Sequence, residues 1–170
     1  AKIDDIATPY DDAIFKLNEK LNGTYIGYGA KGEENKSKQA EVDAANYSLN
    51  KSSAAKRASV KSQKSVYRNE SWDLVDARAA DAGTIDKLPQ TALPAQLQNK
   101  SKAEVKEYVA KTAQQRNTIQ QEIVALSKKR DAYLVAEKAK TTGRSTQTLG
   151  TEIEKIIRQQ AGQFKIQIAQ

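Results

Sequence analysis

The sequence predicts a mainly α-helical fold. The expected architecture is a long antiparallel helical hairpin, preceded by shorter helices and one short β-strand near the N-terminus. Three observations carry that expectation. Residues 101–140 contain neither Gly nor Pro and keep an apolar heptad repeat. A second amphipathic pattern follows a polar stretch at residues 141–146. Only one stretch, residues 24–29, has the β-branched and aromatic composition of a strand.

The long helix is the best-defined element. Ser101 followed by Glu104 forms a capping box, in which each side chain satisfies a backbone N–H at the helix start. Val105, Thr112, Ile119, Leu126 and Tyr133 recur every seven residues, and Val109, Arg116, Ile123 and Arg130 form the second row of the seam. The spacing predicts one helix over residues 102–138, with Ile119, Ile123 and Leu126 buried and Glu122 and Lys128 exposed. At 1.5 Å per residue it would be roughly 55 Å long. The two seam arginines are expected to cover the seam with their stems and send their guanidinium heads to water. Thr141-Thr142-Gly143-Arg144-Ser145-Thr146 is expected to break the helix. Leu149, Ile153, Ile156, Ile157, Phe164 and Ile168 would then form a final helix that covers the seam.

Earlier in the chain, Thr8-Pro9 reads as a helix start and Asn22-Gly23 as its end, with Ile14, Leu17 and Leu21 on one face and Phe15 beside them. Thr24-Tyr25-Ile26-Gly27-Tyr28-Gly29 follows as the strand. One strand cannot satisfy its own backbone, so a partner from outside its neighbourhood is expected. Residues 30–50 are polar, with Val42, Ala45 and Leu49 at helical spacing; residues 52–68 read as another helix capped by Ser52 or Ser53. Trp72, Val75 and Ala79 make a short apolar face, and Trp72, the only Trp, is the expected core anchor. Gly83, Pro89 and Pro94 mark residues 82–100 as a linker.

Composition limits the chemistry. Apolar residues make up 38% of the 170, charged residues 29%, and the formal net charge is +7. Residues 101–170 hold 13 basic and 7 acidic side chains and so carry +6 of it. Such an excess favours solubility and attraction to acidic surfaces without identifying a nucleic-acid partner. No Cys means no disulfide framework and no thiolate metal site, and no His removes the commonest general base and zinc ligand. No apolar run approaches a membrane span. A chain that begins Ala1-Lys2, without Met, reads as a piece processed from something longer.

The chemical motifs have ordinary readings. Ser53-Ala54-Ala55-Lys56 and Lys140-Thr141-Thr142-Gly143 resemble the Ser-x-x-Lys and Lys-Thr-Gly elements of serine β-lactamases and penicillin-binding proteins. The Ser-Asp-Asn element is missing, and caps and turns explain both. The carboxylate pairs Asp4/Asp5, Asp11/Asp12 and Asp73/Asp76 are read as helix-dipole acids rather than a metal or acid–base site. No Asp or Glu occurs from Ala44 to Asn69, and Arg57, Lys61, Lys64 and Arg68 fall on one face of the expected helix. That stripe is the candidate contact for an acidic partner, against its reading as a solvated face. Six Asn-x-Ser/Thr sequons, at Asn22, Asn35, Asn46, Asn50, Asn69 and Asn99, follow from abundant Asn and Ser.

Helix, Leu-Asn-Gly-Thr-Tyr, strand resembles the last helix and last strand of a von Willebrand factor type A domain. In that family the helix typically ends Leu-Ala-x-x-Thr-Gly-Gly-x-Tyr. The matching positions are Leu17, Asn18, Leu21, Asn22, Gly23 and Tyr25, of which Asn18, Leu21 and Asn22 depart from the pattern. A fuller likeness is to uncharacterised bacterial proteins carrying such a domain, through Ala-Thr-Pro-Tyr-Asp at 7–11, Leu-Asn-Gly-Thr-Tyr-Ile-Gly-Tyr-Gly at 21–29, Ser-Trp-Asp-Leu-Val-Asp-Ala at 71–77 and a long charged helix. The resemblance implies that residues 1–30 are the last helix and strand of the domain's larger α/β sheet. Residues 31–100 would be a helical connector and residues 101–170 the hairpin. It also implies a non-enzymatic interaction or structural region, in the periplasm or cell envelope. Its partner would be another protein, the rest of its own domain, a retained N-terminal chain or a second copy. The family's Asp-x-Ser-x-Ser metal loop is not in these residues, so a divalent metal would belong upstream and no cofactor is expected here. The alternative is a nucleic-acid or acidic-surface binding module using the basic stripe and hairpin.

Overall fold

The computed structural model describes residues 6–163, with side chains described through residue 140. Asp4/Asp5 and the side chains of the expected last helix, from Leu149 to Ile168, lie outside what is described. The chain is mainly helical. Its helices are α1 (Asp11–Gly23), α2 (Gly32–Leu49), α3 (Lys51–Lys61), α4 (Leu74–Ala80), α5 (Thr84–Lys87), α6 (Ala95–Gln98) and α7 (Lys102–Gln163), with a 3-10 turn at Gln90–Ala92. The chain divides into two units, Ala1–Asp131 and Ala132–Gln170. In the second unit α7 continues, carrying the exposed pair Lys140–Glu137 at 2.7 Å. All packing described below belongs to the first.

The capping box of α7 forms as expected: Ser101 N and Oγ donate to Glu104 Oε2 at 2.8 and 2.7 Å. Val105, Val109, Thr112, Arg116, Ile123 and Arg130 are buried, Ile119 and Leu126 are half-buried, and Glu122 and Lys128 are exposed. The seam is therefore real through Arg130. Two apolar clusters sit on it. The first joins Ile26, Leu74, Val75, Ile85, Leu93 and Leu97 to Val105 and Val109. The second joins Ile14, Leu17, Leu21, Ala55 and Ala58 to Ile123. Arg116 falls between these two groups along α7.

Three sequence expectations are corrected. The hairpin is not formed, because α7 runs unbroken through residues 141–146. Thr, Ser and one Gly lower helix propensity by about 1 kcal/mol or less each, and no Pro is there to clash with the preceding turn. The strand at residues 24–28 is reduced to one antiparallel bridge, Gly27 to Asp73, and its partner comes from this chain. Tyr28 N donates to Trp72 O at 2.8 Å and Leu74 N to Ile26 O at 2.9 Å, so no larger sheet is needed for these amides. Residues 82–100 are packed, not loose: Ile85, Leu93 and Leu97 are buried, and Lys102 Nζ donates to Ile85 O at 2.7 Å.

Glycine fixes the turn after the bridge. Gly29 has φ of +71°, and a Cβ on Gly27 would meet the Gly32 carbonyl carbon at 2.5 Å, so the bridge and the start of α2 touch through backbone alone. The face of α2 turned inward is polar. Gln39 and Asp43 are buried, whereas Val42 is exposed and Leu49 is 87% exposed. Phe15 and Tyr47 stack at 3.8 Å to join α1 to α2.

Trp72 is buried beside the Tyr25 ring, centroids 5.3 Å apart, as its expected anchoring role requires. Trp72→Ala is expected to destabilise the chain by about 3 kcal/mol, the lower end for such a truncation because the indole lies at the edge of the core. Denaturant titration checks this, and a midpoint shift no larger than that of a surface substitution would remove Trp72 from the core.

Candidate functional site

Three buried charge clusters hold the first unit together, and a cavity opens beside two of them. The central cluster is built on Arg116. Its guanidinium forks onto Asp73 (Nη1 to Oδ2, 2.6 Å; Nη2 to Oδ1, 3.1 Å), reaches Asp76 Oδ1 at 3.0 Å, and donates to Thr24 O and Oγ1 at 2.6 and 3.0 Å. The Tyr25 ring lies 4.6 Å from its central carbon. Asp73 is 0% exposed and serves several partners at once: Arg116, the Ile26 N–H at 2.8 Å, and the Asp76 N–H that starts α4 at 3.0 Å. Burial alone would lower the Arg116 pKa, but the hydrogen bonds and charge of Asp73, with the charge of Asp76, hold it above its ordinary value.

The second cluster is built on Asp43 of α2. Its carboxylate accepts from Asn18, Asn22, Arg57 and Lys61. Lys61 is 1% exposed. Burial pushes its ammonium down to about 8, against the pull of Asp43. Burial would raise the Asp43 carboxyl, yet the Lys61 charge and hydrogen bond hold it below its ordinary value. In the third cluster, Arg130 Nε donates to Asp11 Oδ1 at 2.8 Å and Nη2 to Ser52 Oγ at 2.6 Å. Asp11 in turn accepts from Thr8 N and Oγ1 at 2.8 Å each. The expectation that the seam arginines send their heads to water is thus wrong at both positions, since matched acids wait on α1 and α4.

The basic stripe does not survive as one surface. Helix α3 ends at Lys61, capped at its start by Asn50 rather than by serine, so residues 62–68 leave the helical register. Arg57 and Lys61 turn onto Asp43, Lys64 donates to Asn117 Oδ1 at 3.1 Å, and Arg68 lies 3.3 Å from Glu70. Asp11 and the pair Asp73/Asp76 are ion-pair partners of arginines rather than simple dipole acids. Among the described residues no group of three or more acidic side chains is placed to hold a metal ion, and no helix is long and apolar enough to cross a membrane.

The cavity has a volume of about 340 Å³. Buried Tyr25, Lys61, Arg116 and Gln120 line it, with exposed Lys64 and Arg68 at the same space. Sequence reasoning did not single out Asp43, Asp73 as a hub, or Gln120. The available signal was the pair of arginines in the heptad seam, since an arginine at a core position implies a buried acid elsewhere.

The titrations give a pH dependence. Lys61 has an ordinary value of 10.5 and a folded value of about 8. Between the two, the unfolded chain keeps a proton that the folded chain has released, so stability rises with pH. Burial pushes the Tyr25 phenol well above its ordinary 10.0. Above that pH the unfolded chain loses a proton the folded chain keeps, so stability falls. Denaturation midpoints followed upward from neutral pH are expected to rise beyond about 8 and turn down beyond about 10. A monotonic fall across the whole range would contradict the buried Lys61. No family model, curated protein or solved structure matches this chain.

Proposed function

We propose that this chain is a non-enzymatic structural and protein-interaction region, the helical C-terminal extension of a von Willebrand factor type A domain protein. The observation that supports the reading is convergence. Three stretches resemble such proteins, residues 7–11, 21–29 and 71–77, and each contributes a hydrogen-bond partner to the buried arginines of α7. Asp11 meets Arg130, and Thr24 and Asp73 meet Arg116. Residues 1–30 join the extension to the domain and pack on α7 rather than completing the domain's sheet, residues 31–100 belong to the extension, and α7 is the rigid element presented to a partner. Ligand and divalent-metal binding belong upstream, and the setting is the bacterial cell envelope or periplasm.

The sequence that precedes Ala1 in the natural protein tests this reading. It is expected to hold an Asp-x-Ser-x-Ser loop within about one domain length. An upstream sequence without that loop overturns the assignment. The alternative, binding to nucleic acid or another acidic surface, retains Lys64 and Arg68 of its stripe, because Arg57 and Lys61 are engaged by Asp43, together with exposed lysines of α7 such as Lys111, Lys128 and Lys129. Partner binding that weakens steeply with added salt would favour that alternative, since phosphate neutralisation releases counterions.

A further inference from the structure

We propose that the cavity beside Arg116 binds a small organic dianion, a phosphate monoester with a compact apolar body. Three observations converge on it. The first is space. The cavity is about 340 Å³, within the range of small-ligand sites, and it stays open because one wall is made of small side chains, Ala79, Ala80, Ala82 and Ala113. These accept an apolar body without offering hydrogen bonds.

The second is charge. Five cations line the space, Lys61, Lys64, Arg68, Arg78 and Arg116, against two acids, Glu70 and Asp76. Asp43 is shared by Lys61 and Arg57, and Arg116 faces both Asp73 and Asp76, so these three cations and three acids are neutral together. Lys64, Arg68 and Arg78 remain, against Glu70. Glu70 meets Arg68 only in a solvent-exposed contact at 3.3 Å, which water and salt weaken. Arg78 makes no ion pair among the described residues and is half-buried at the cavity. A guanidinium in that setting suits a phosphate, whose oxygens match its forked donors.

The third is an unsatisfied group. Gln120 lines the same cavity, is 7% exposed, and its Oε1 is buried with no hydrogen-bond partner. An orphaned buried polar atom costs about 1–3 kcal/mol, so a ligand that engages the amide removes a penalty the empty cavity carries. A dianion only accepts hydrogen bonds, so the amide engages it through its NH₂, turned about its last bond into the place of the orphaned oxygen. Anchor, apolar wall and cationic mouth thus belong to one space, and together they select an anion with a body rather than a bare ion.

The test is calorimetric titration of the full chain with phenyl phosphate, with benzoate, inorganic phosphate and phenol as comparators. Phenyl phosphate is expected to bind saturably at one site per chain, more tightly than benzoate or inorganic phosphate, with no binding of phenol. Arg78→Ala is expected to weaken it by about tenfold or more. Ala79→Phe, at an exposed wall position, is expected to abolish it by filling the space, with the thermal midpoint of both variants unchanged. Absence of saturable phenyl phosphate binding to the unaltered chain overturns the proposal. So does binding that neither variant alters, or equal affinity for inorganic phosphate, which would reduce the site to exposed charge.

Discussion

Arg116→Ala is expected to destabilise the chain by about 5 kcal/mol, the upper end of the range for breaking a buried ion pair. Arg116 makes five hydrogen bonds and covers the Tyr25 ring, and its removal leaves Asp73 fully buried without its cation. Asp73 cannot turn to water, because its oxygens also hold the Ile26 and Asp76 amides. The loss would therefore reach residues 24–28, the start of α4 and α7 together. Arg116→Lys should recover only part of it, since a single ammonium cannot span Asp73, Asp76 and Thr24 at once. Equilibrium denaturation of the two variants measures both effects. A lysine variant as stable as the parent would show that charge alone matters and that the fork geometry does not.

Asp43→Ala is expected to cost about 4 kcal/mol, and for a different reason. The carboxylate is the only acid among the partners of Lys61, whose ammonium is otherwise held by Asn22 Oδ1 at 2.7 Å and faces the Tyr25 ring at 5.8 Å. Without Asp43 the lysine must deprotonate or strand its charge, so its pKa should fall further below about 8. Asn18 and Asn22 also lose their common acceptor. Asp43→Asn keeps the shape and much of the hydrogen bonding while removing the charge, and so separates the two contributions. Equal denaturant midpoints for Asp43→Asn and the parent would show that the pair contributes no net Coulomb stabilisation. The Asp43 and Arg116 clusters share the cavity and the Tyr25 ring, so their variants are not expected to add independently.

The sequence carried some of this clearly and hid the rest for identifiable reasons. Ser101 and Glu104 are three residues apart, so their mutual cap is local and readable. Ile123, Glu122 and Lys128 follow from the heptad, which fixes the direction in which a side chain leaves α7. It does not fix what meets that side chain. Arg116 and Arg130 were therefore placed on the right face with the wrong destination, because their acids lie 43 and 119 residues away. Asp73 was legible only as a helix acid. It does start α4, but its roles toward Ile26 and Arg116 need the fold.

Short elements fail in another way. Ile85 and Leu97 are buried from helices of one turn and Leu93 from the extended residue after a 3-10 turn, all too short to show a period. Gly and Pro in residues 82–100 therefore read as a loose linker when they punctuate a packed segment. Composition read residues 24–29 as a strand, but Thr24 has helical backbone angles, Gly29 has a positive φ and only Gly27 makes a bridge, because Trp72–Leu74 supply donors and acceptors without a sheet. The stripe of four cations assumed a helix through Arg68, and the end of α3 at Lys61 removes that premise.

The central claim is that residues 24–28 are held inside this chain by the Arg116–Asp73 cluster. Amide hydrogen exchange at Ile26, Tyr28 and Leu74 measures it directly. These amides donate to Asp73 Oδ1, Trp72 O and Ile26 O at 2.8, 2.8 and 2.9 Å. They are expected to exchange as slowly as the amides of α1, and to become fast together in Arg116→Ala while Lys140 and its helical neighbours are unaffected. Exchange of Ile26 and Tyr28 at the unstructured-chain rate in the unaltered protein would contradict the account.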